Sequence, residues 1–240
     1  MPPLNSGETA FLWWMTDNYQ QSNEWAQQHR QSPTTRHTHE DVLTDREFEL
    51  LLEACSSLPE PRDLQARFVC LAGGRLGLRA GEIAHFRQTG SIGIGCCFAF
   101  QHEPCECGYC RRQAAQETTH NEQLTHEEAM DTRWHPKTVA SARSIPIDLS
   151  LRLELCLERF TDGYDSFPRS RTTVNRRVTA AAEAADIDGR VYPHCLRAIA
   201  ASYHACQGVA PVPLQALMGW SDLATAQKYI RISGRATADA

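Results

Sequence analysis

The segment 192–204, "YPHCLRAIAASYH", is the part of the sequence that most restricts how this chain folds. Most of its residues are small and apolar, and Pro193 is tolerated in the first turn of a helix, where no N–H is hydrogen-bonded. His194 and Arg197 are then neighbours on one helix face, because residues at i and i+3 are adjacent. Alone, the pair is explained as a surface pair or as a histidine bonded to a core carbonyl. A functional interpretation needs partners from other segments.

Length and composition describe an ordinary globular chain. Its 240 residues predict one domain, or one domain with an extension. It is 42% hydrophobic and 22% charged, which suits a protein with a real core. We expect a cytoplasmic protein without a membrane partner, because no apolar run is as long as a membrane span and the N-terminus lacks a signal pattern. In that compartment the ten cysteines are expected to be thiols or metal ligands rather than disulfides.

The charge is distributed unevenly along the chain. A net charge of −5 argues mildly against a nucleic-acid partner. Residues 165–240, however, contain nine Arg and Lys against six Asp and Glu, a net charge of +3, which leaves −8 for residues 1–164. A local basic bias of this kind is compatible with a phosphate-contacting face on an acidic body.

Local patterns predict a mainly α chain with a small antiparallel β-sheet, an α+β fold. Thr44 and Glu47 have the spacing of a capping box, and an apolar stripe follows them. Residues 92–100 and the later "ARSIPI" suit strands. Further helices are predicted at 61–76, in "RAGEIAHF", and at 148–160, 171–186, 194–206, 212–218 and 222–231.

The same patterns divide the chain into parts. We expect an N-terminal extension over 1–41, with a short helix at 8–28 followed by a linker. The main domain is expected over 42–235, with a cysteine-rich insert at about 96–135, and a tail over 236–240.

Two charged features upstream of residue 192 are candidate partners for the histidine–arginine pair. In "GLRAGEIAHF", Arg79 and Glu82 are at i and i+3, so the carboxylate can orient the guanidinium. Taken alone, such a pair is usually a surface ion pair of small value. Lys137 is placed at a turn before "ARSIPI", and Lys228 is the only other lysine in the chain. A lone lysine in a turn is normally solvated.

A third candidate lies downstream, in "LMGWSDLATAQKYI". Gly219 is expected to end one helix, and Ser221 to cap the next. Trp220 lies between them, and Tyr229 falls near the end of the second helix. In isolation, a tyrosine near a helix end is most often a packing residue with a solvated hydroxyl.

Together and in this order, the motifs resemble the tyrosine recombinase (phage integrase) family. The resemblance consists of Arg-x-x-Glu, a lysine before a strand, His-x-x-Arg, Gly-Trp, and a tyrosine nine residues after the tryptophan, and it covers residues 42–233. It implies the catalytic-domain fold of that family and a role in DNA recombination and integration. "SARSIPI" and "YPHCLRA" look most like integrases of salt-loving archaea, which suggests an archaeal mobile element.

The resemblance implies roles for the candidate residues. Tyr229 would be the nucleophile that forms a 3′-phosphotyrosyl bond. Arg79 and Arg197 would bind the non-bridging phosphate oxygens, where charge builds up in the transition state. Glu82 would hold Arg79 in place. No metal or other cofactor is needed for this chemistry, because the guanidinium groups neutralise the charge.

The remaining roles concern protons and contacts. His194 would take part in proton transfer and phosphate contact, and Lys137 would protonate the leaving 5′-oxygen. Trp220 stands where many family members have a second histidine. Its indole N–H can donate to a phosphate but cannot shuttle a proton.

The resemblance also implies partners. The substrate would be double-stranded DNA, on which copies of the chain would assemble. Family members usually carry an N-terminal DNA-clamping domain of about a hundred residues, whereas only about forty residues precede the matching region here. We therefore expect a minimal recombinase, an element remnant, or a chain that uses a clamping domain supplied by a partner protein.

A separate motif, "HEPCECGYCRR", suggests a metal. Cys105, Cys107 and Cys110 have a C-x-C-x-x-C spacing that suits zinc. Candidates for the fourth ligand are His102, which is nearest, and His120 and His135. A structural zinc that fastens a hairpin facing DNA is preferred over a catalytic one. The alternative is that these are exposed, reduced thiols in a loop.

Two other functions stay open. The chain could be a catalytically idle or partner-dependent DNA-binding protein of the same fold. It could also be a zinc-dependent interaction module in which the cysteine segment is the functional part.

Overall fold

The computed structural model describes residues 43–86, 97–99, 103–147, 150–164, 166–168, 170–187 and 191–232. The predictions for the extension over 1–41, for His102 and for the tail over 236–240 fall outside these residues.

The first described segments are helical. Helix α1 is Asp45–Ala54, and the predicted capping box between Thr44 and Glu47 is present. A 3₁₀ turn, Cys55–Ser57, leads to α2, Arg62–Gly74. The short helix α3, Ala80–Ala84, begins directly after Arg79 and ends at His85.

A two-stranded sheet brackets the cysteine-rich insert. Strand β1, Cys97–Ala99, pairs antiparallel with β2, Ser144–Pro146. Between them lie α4 (Gly108–His120), α5 (His126–Asp131) and a 3₁₀ turn, Val139–Ser141. Neither helix of the insert was predicted from the sequence. Helix α4 was missed because only Cys110 and Ala114 are buried, so the helix has almost no apolar stripe.

The rest of the described chain is a series of helices. They are α6 (Leu151–Gly163), α7 (Arg171–Ala184), α8 (Pro193–Cys206), α9 (Pro211–Met218) and α10 (Leu223–Ile232). Their ends agree with the predicted ones to within three residues. The expected mainly α fold with a small antiparallel sheet is confirmed. No helix in the described ranges combines the length and apolarity that crossing a membrane requires.

Helix α8 lies against α2 in the centre of the core. A Cβ built on Gly73 would lie 3.0 Å from the Leu196 Cβ, so the absence of a side chain at Gly73 lets the two helices approach closely. Also on α2, the Phe68 ring stacks on Phe160 with centroids 4.2 Å apart. Burying each large apolar side chain stabilises the fold by about 1.5–3 kcal/mol. Because the residues of α8 around Arg197 are mostly small, this helix packs closely on α2, and Arg197 lies in the interior next to the loop that follows α2.

Gly219 ends α9 in a left-handed conformation, with φ 59° and ψ 45°. A Cβ there would lie 2.8 Å from the Ala140 carbonyl oxygen. We expect Gly219→Ala to lower the free energy of unfolding by about 2 kcal/mol or more, from backbone strain and this clash. Gly163 ends α6 in open space, so Gly163→Ala should change stability by less than about 1 kcal/mol. Urea unfolding of both variants tests the difference, and equal losses would contradict it.

Candidate active site and metal centre

Arg79 is held from three directions. Its guanidinium donates to Glu82 Oε1 (2.9 Å) and Ser141 Oγ (2.9 Å) through Nη1, and to the Gly219 carbonyl (3.0 Å) through Nη2. Its side chain is 34% exposed. The cation is thus fixed by three separate parts of the chain and still accessible from solvent.

Glu82 is shared by two arginines. The carboxylate is buried and also accepts from Arg143, with Nη1–Oε1 at 2.8 Å and Nη2–Oε2 at 3.1 Å. Burial acts to raise the pKa of Glu82, but the hydrogen bonds and charge of Arg143, with smaller effects from Arg79 and Arg197, hold that pKa below its ordinary value. Glu82 is therefore an ionised, fixed acceptor for Arg79.

Arg143 was not among the predicted site residues. Besides Glu82, it contacts α9 through a hydrogen bond from Nε to the Leu217 carbonyl at 2.8 Å. Its side chain is only 7% exposed. The available signal was an arginine inside the predicted strand segment "ARSIPI". Such a position gives no indication of its partner, because Glu82 lies far away in the sequence.

Arg197 is buried, at 3% exposure, and is anchored by backbone carbonyls. It donates to the carbonyl of Gly77 and to that of Met218. Burial lowers the pKa of Arg197 to about 9, and the positive charge of Arg79 adds to the effect. Arg197 still carries its charge at neutral pH. Two neighbouring guanidinium groups of this kind favour an anion between or beside them.

Tyr229 lies on α10, close to Arg197. Its ring stacks on Trp220 with centroids 5.4 Å apart and planes 10° apart. Trp220 in turn faces Arg197, whose guanidinium carbon is 5.8 Å from the indole centroid. Burial raises the pKa of Tyr229, and the charge of Arg197 opposes that change. The tyrosine is thus held as a neutral phenol beside a cation.

The start of α10 corrects one prediction. Ser221 was expected to cap this helix, but it is Asp222 that precedes Leu223, and its Oδ1 accepts from the Ala224 N–H at 3.0 Å. Both residue types are good caps, so the sequence did not distinguish adjacent positions. The change shifts the start of the helix by one residue and leaves Tyr229 on α10.

His194 and Lys137 lie at the edge of the site. His194 is in the first turn of α8; partial desolvation, with the charges of Arg197 and Arg79, lowers its pKa, so it is neutral at pH 7. Lys137 is exposed. Its neighbour Thr138 forms a 2.9 Å hydroxyl–hydroxyl hydrogen bond with Ser141, which also accepts from Arg79. The backbone at Lys137 is therefore close to the network that holds Arg79.

The C-terminal third of the chain has a recognisable family pattern. Residues 156–235, which include Arg197 and Tyr229, match the model of the phage integrase family. A comparison with curated protein sequences finds no match.

Solved recombinase structures share the fold of this chain. XerA recombinase matches with a TM-score of 0.56 at 16% identity, over 86% of this chain and 65% of that one. The Tn1549 transposon integrase in complex with transposon right end DNA matches with a TM-score of 0.54 at 18% identity, over 82% of this chain and 65% of that one. XerH recombinase bound to its difH substrate matches with a TM-score of 0.53 at 13% identity, over 82% of this chain and 52% of that one. The chain thus spans between half and two thirds of these proteins, and the likeness concerns the fold.

A second cluster lies ahead of residues 156–235 in the sequence. The ligand atoms of His85, Cys105, Cys107 and Cys110 all lie within 4.8 Å of one another, so this group could hold a metal ion. The Sγ atoms of Cys107 and Cys110 are 3.5 and 3.3 Å from His85 Nδ1. Hydrogen bonds from the other two thiols lower the pKa of Cys107, whereas the pKa of Cys105 rises to about 11.

The cluster contains the three predicted cysteines and a histidine that was not predicted. His120 Nδ1 lies 2.7 Å from the Gln116 carbonyl of its own helix, and His135 Nδ1 lies 3.1 Å from the Pro136 carbonyl. The structure groups neither of them with the cysteines; among the described residues, His85 is the histidine that lies beside them. The alternative of exposed loop thiols is also wrong for Cys107 and Cys110, which are buried.

Proposed function

We propose that this chain is a site-specific DNA recombinase that cleaves and rejoins strands through a 3′-phosphotyrosyl intermediate. The observation that carries the proposal is the placement of Tyr229 beside the buried cation Arg197, which in turn lies close enough to Arg79 for their charges to interact. A tyrosine and two guanidinium groups are what a protein needs to attack a phosphodiester and neutralise the charge that develops. Their occurrence with an integrase-family segment supports this chemistry over other phosphate-binding functions.

In the proposed reaction, the Tyr229 hydroxyl oxygen attacks the scissile phosphorus. The bond from phosphorus to the tyrosine oxygen forms as the bond to the 5′-oxygen breaks. The phenolic proton passes to His194, which is neutral at pH 7, and the departing 5′-oxygen takes a proton from Lys137. Religation is the same sequence in reverse. Arg79 and Arg197 donate to the non-bridging oxygens throughout.

The supporting residues act by position. Glu82, ion-paired with Arg143, fixes Arg79 before DNA arrives, so little reorganisation is needed in the transition state. Trp220 holds the Tyr229 ring by stacking, and its indole N–H is available to a phosphate oxygen. We propose that all these residues belong to one catalytic domain, over residues 42–235.

Double-stranded DNA is the proposed partner, with assembly of several copies on it. Of the structural neighbours, XerH is bound to difH DNA and the Tn1549 integrase to transposon end DNA. A partner protein could supply a clamping domain. We propose that the recombinase acts in the cytoplasm, where the DNA of an archaeal mobile element is located. A catalytically idle DNA-binding protein is the alternative, and it predicts binding without a covalent product.

The test is covalent trapping on a nicked duplex, in which loss of a short fragment prevents religation. We expect the wild-type protein to form a denaturation-resistant adduct with the 3′-phosphate end of the cleaved strand. Mass spectrometry should place the nucleotide on Tyr229. Specific DNA binding with no adduct on any nicked duplex would establish the idle alternative.

DNA affinity should depend steeply on salt. Because Arg79 and Arg197 together are expected to neutralise the scissile phosphate, the logarithm of the binding constant should fall with log salt at a slope of about −1 or steeper. The Arg79→Ala variant, which keeps only one of the two cations, should show a shallower slope than the wild type. Fluorescence anisotropy over a salt series measures both, and a flat response would contradict a phosphate-dominated interface.

We further propose that the cysteine cluster holds a structural zinc ion. Three thiolates and one imidazole are a common tetrahedral zinc set, and a set with no room for water is structural. The cluster lies outside the residues assigned to strand transfer. The alternative in which the cysteine segment is itself the interaction module predicts that metal removal abolishes partner binding and that Tyr229 is dispensable.

A further inference from the structure

The short helix α3 connects the two sites. Arg79 precedes its first residue, and His85 follows its last. Within it, Glu82, Ile83 and Ala84 are buried. Because a helix of this length cannot bend much, the metal cluster at one end and the arginine at the other have a fixed relation. A side chain that packs along α3 therefore has a fixed position relative to both the metal cluster and Arg79.

The cluster already has distances that suit a bound ion. With metal–sulfur bonds of about 2.3 Å and metal–nitrogen bonds of about 2.0 Å at tetrahedral angles, the nitrogen and sulfur ligands lie about 3.5 Å apart. The separations from His85 Nδ1 to the Sγ atoms of Cys107 and Cys110 are 3.5 and 3.3 Å. Cys107 is at the start of α4 and Cys110 is in its first turn, so the helix itself sets their spacing.

Trp134 connects this cluster to the segment that carries Lys137. Its ring stacks on His85, with centroids 4.5 Å apart and planes 5° apart. Its Nε1 would lie 3.0 Å from a Cβ on Gly81, so the indole lies directly on α3. Its carbonyl accepts from the Cys105 N–H at 2.7 Å, which joins the two ends of the insert. Lys137 follows three residues later.

We propose that a zinc ion bound by His85, Cys105, Cys107 and Cys110 holds Trp134 against α3 and thereby positions Lys137 for strand cleavage. This inference rests on the proposed recombinase function. Arg79 has its own supports in Glu82, Ser141 and Gly219, which do not involve the cluster. Removal of the metal should therefore slow strand cleavage in the same way as removal of the Lys137 side chain, and not in the way that removal of the Arg79 side chain does.

The ligand set is tested with metal alone. Protein purified without added metal should contain about one zinc per chain. Its cobalt(II) form should show thiolate-to-metal charge transfer in the ultraviolet and strong visible bands of a tetrahedral site. His85→Gln should weaken cobalt affinity at least about tenfold, while His120→Gln, in the same insert, should not change it. Unchanged affinity in His85→Gln, or no cobalt binding by the wild type, would overturn the assignment.

The coupling is tested by strand cleavage on two DNAs, one ordinary and one with sulfur in place of the scissile 5′-bridging oxygen. A thiolate leaves without a proton, so the sulfur DNA does not need Lys137. Zinc-free protein and Trp134→Ala should each cleave ordinary DNA at least about tenfold more slowly than the zinc-loaded wild type. Both should cleave the sulfur DNA within about threefold of it.

The outcomes separate the two proposals. Trp134→Ala keeps all four ligands, so it provides the measurement if zinc-free protein unfolds; its cobalt spectrum should equal that of the wild type. Equal losses on both DNAs, or no loss on either, would overturn the coupling while the recombinase function stands. A zinc-loaded wild type that cleaves neither DNA would overturn the recombinase function and the coupling with it.

Discussion

Tyr229→Phe is expected to abolish the covalent protein–DNA adduct and to leave DNA affinity within about twofold of the wild type. The change removes only the hydroxyl, which is the proposed nucleophile. The phenyl ring keeps its place on Trp220, where the wild-type rings stack with centroids 5.4 Å apart. The variant should therefore fold and bind normally. Adduct yield on a nicked duplex and anisotropy on the intact one measure the two properties.

A matched control is available in α8. Tyr203 packs under the Arg75 guanidinium, 4.3 Å from its ring centroid, and takes no part in the proposed reaction. Tyr203→Phe removes the same atom from the same residue type and should form the adduct as the wild type does. Adduct formation by Tyr229→Phe at the wild-type level would rule out the proposed nucleophile.

Lys137→Ala is expected to cleave ordinary DNA about a hundredfold more slowly or worse, and to recover on DNA with a 5′-bridging sulfur. The alkoxide that leaves from ordinary DNA needs a proton, which the variant cannot supply. Arg79→Ala should lose a comparable or larger factor, equivalent to about 3 kcal/mol of transition-state stabilisation, and should not recover. Single-turnover cleavage rates of both variants on both DNAs make the comparison.

A charge-preserving variant distinguishes an acid from a phosphate contact. Lys137→Arg keeps the positive charge, but a guanidinium is a much weaker acid than an ammonium group. It should be slow on ordinary DNA and recover on sulfur DNA, as Lys137→Ala does. Normal cleavage of ordinary DNA by Lys137→Arg would show that the lysine is only a phosphate contact, and the acid would then be another group.

The parts of the fold that could be predicted are those with short-range rules. The capping box of α1 depends on Thr44 and Glu47, three residues apart, and it is present. Pro193 opens α8, so that His194 and Arg197 share one helix face, as expected from their spacing. Gly219 ends α9 in the left-handed conformation that the sequence "LMGWS" suggested.

Where short-range rules were ambiguous or silent, the predictions were wrong or missing. Ser221 and Asp222 are both suitable caps, and only the observed start of α10 decides between them. The insert helices carry few buried apolar residues; α5 buries only Ala129. A helix that buries so few apolar side chains has no repeating apolar pattern in its sequence, so that pattern cannot predict it.

The sequence by itself determined which chemical groups are available and which of them share a helix. Arg79 with Glu82 and His194 with Arg197 could be identified from the sequence, because a helix brings residues three apart together. Only the tertiary structure decided which distant groups meet. Arg143 reaches Glu82 from a segment beyond the insert, and His85 completes the cysteine cluster from the end of α3. These contacts depend on how α2, α8 and the insert pack, and packing is set by the shape of many side chains at once, which no local pattern records.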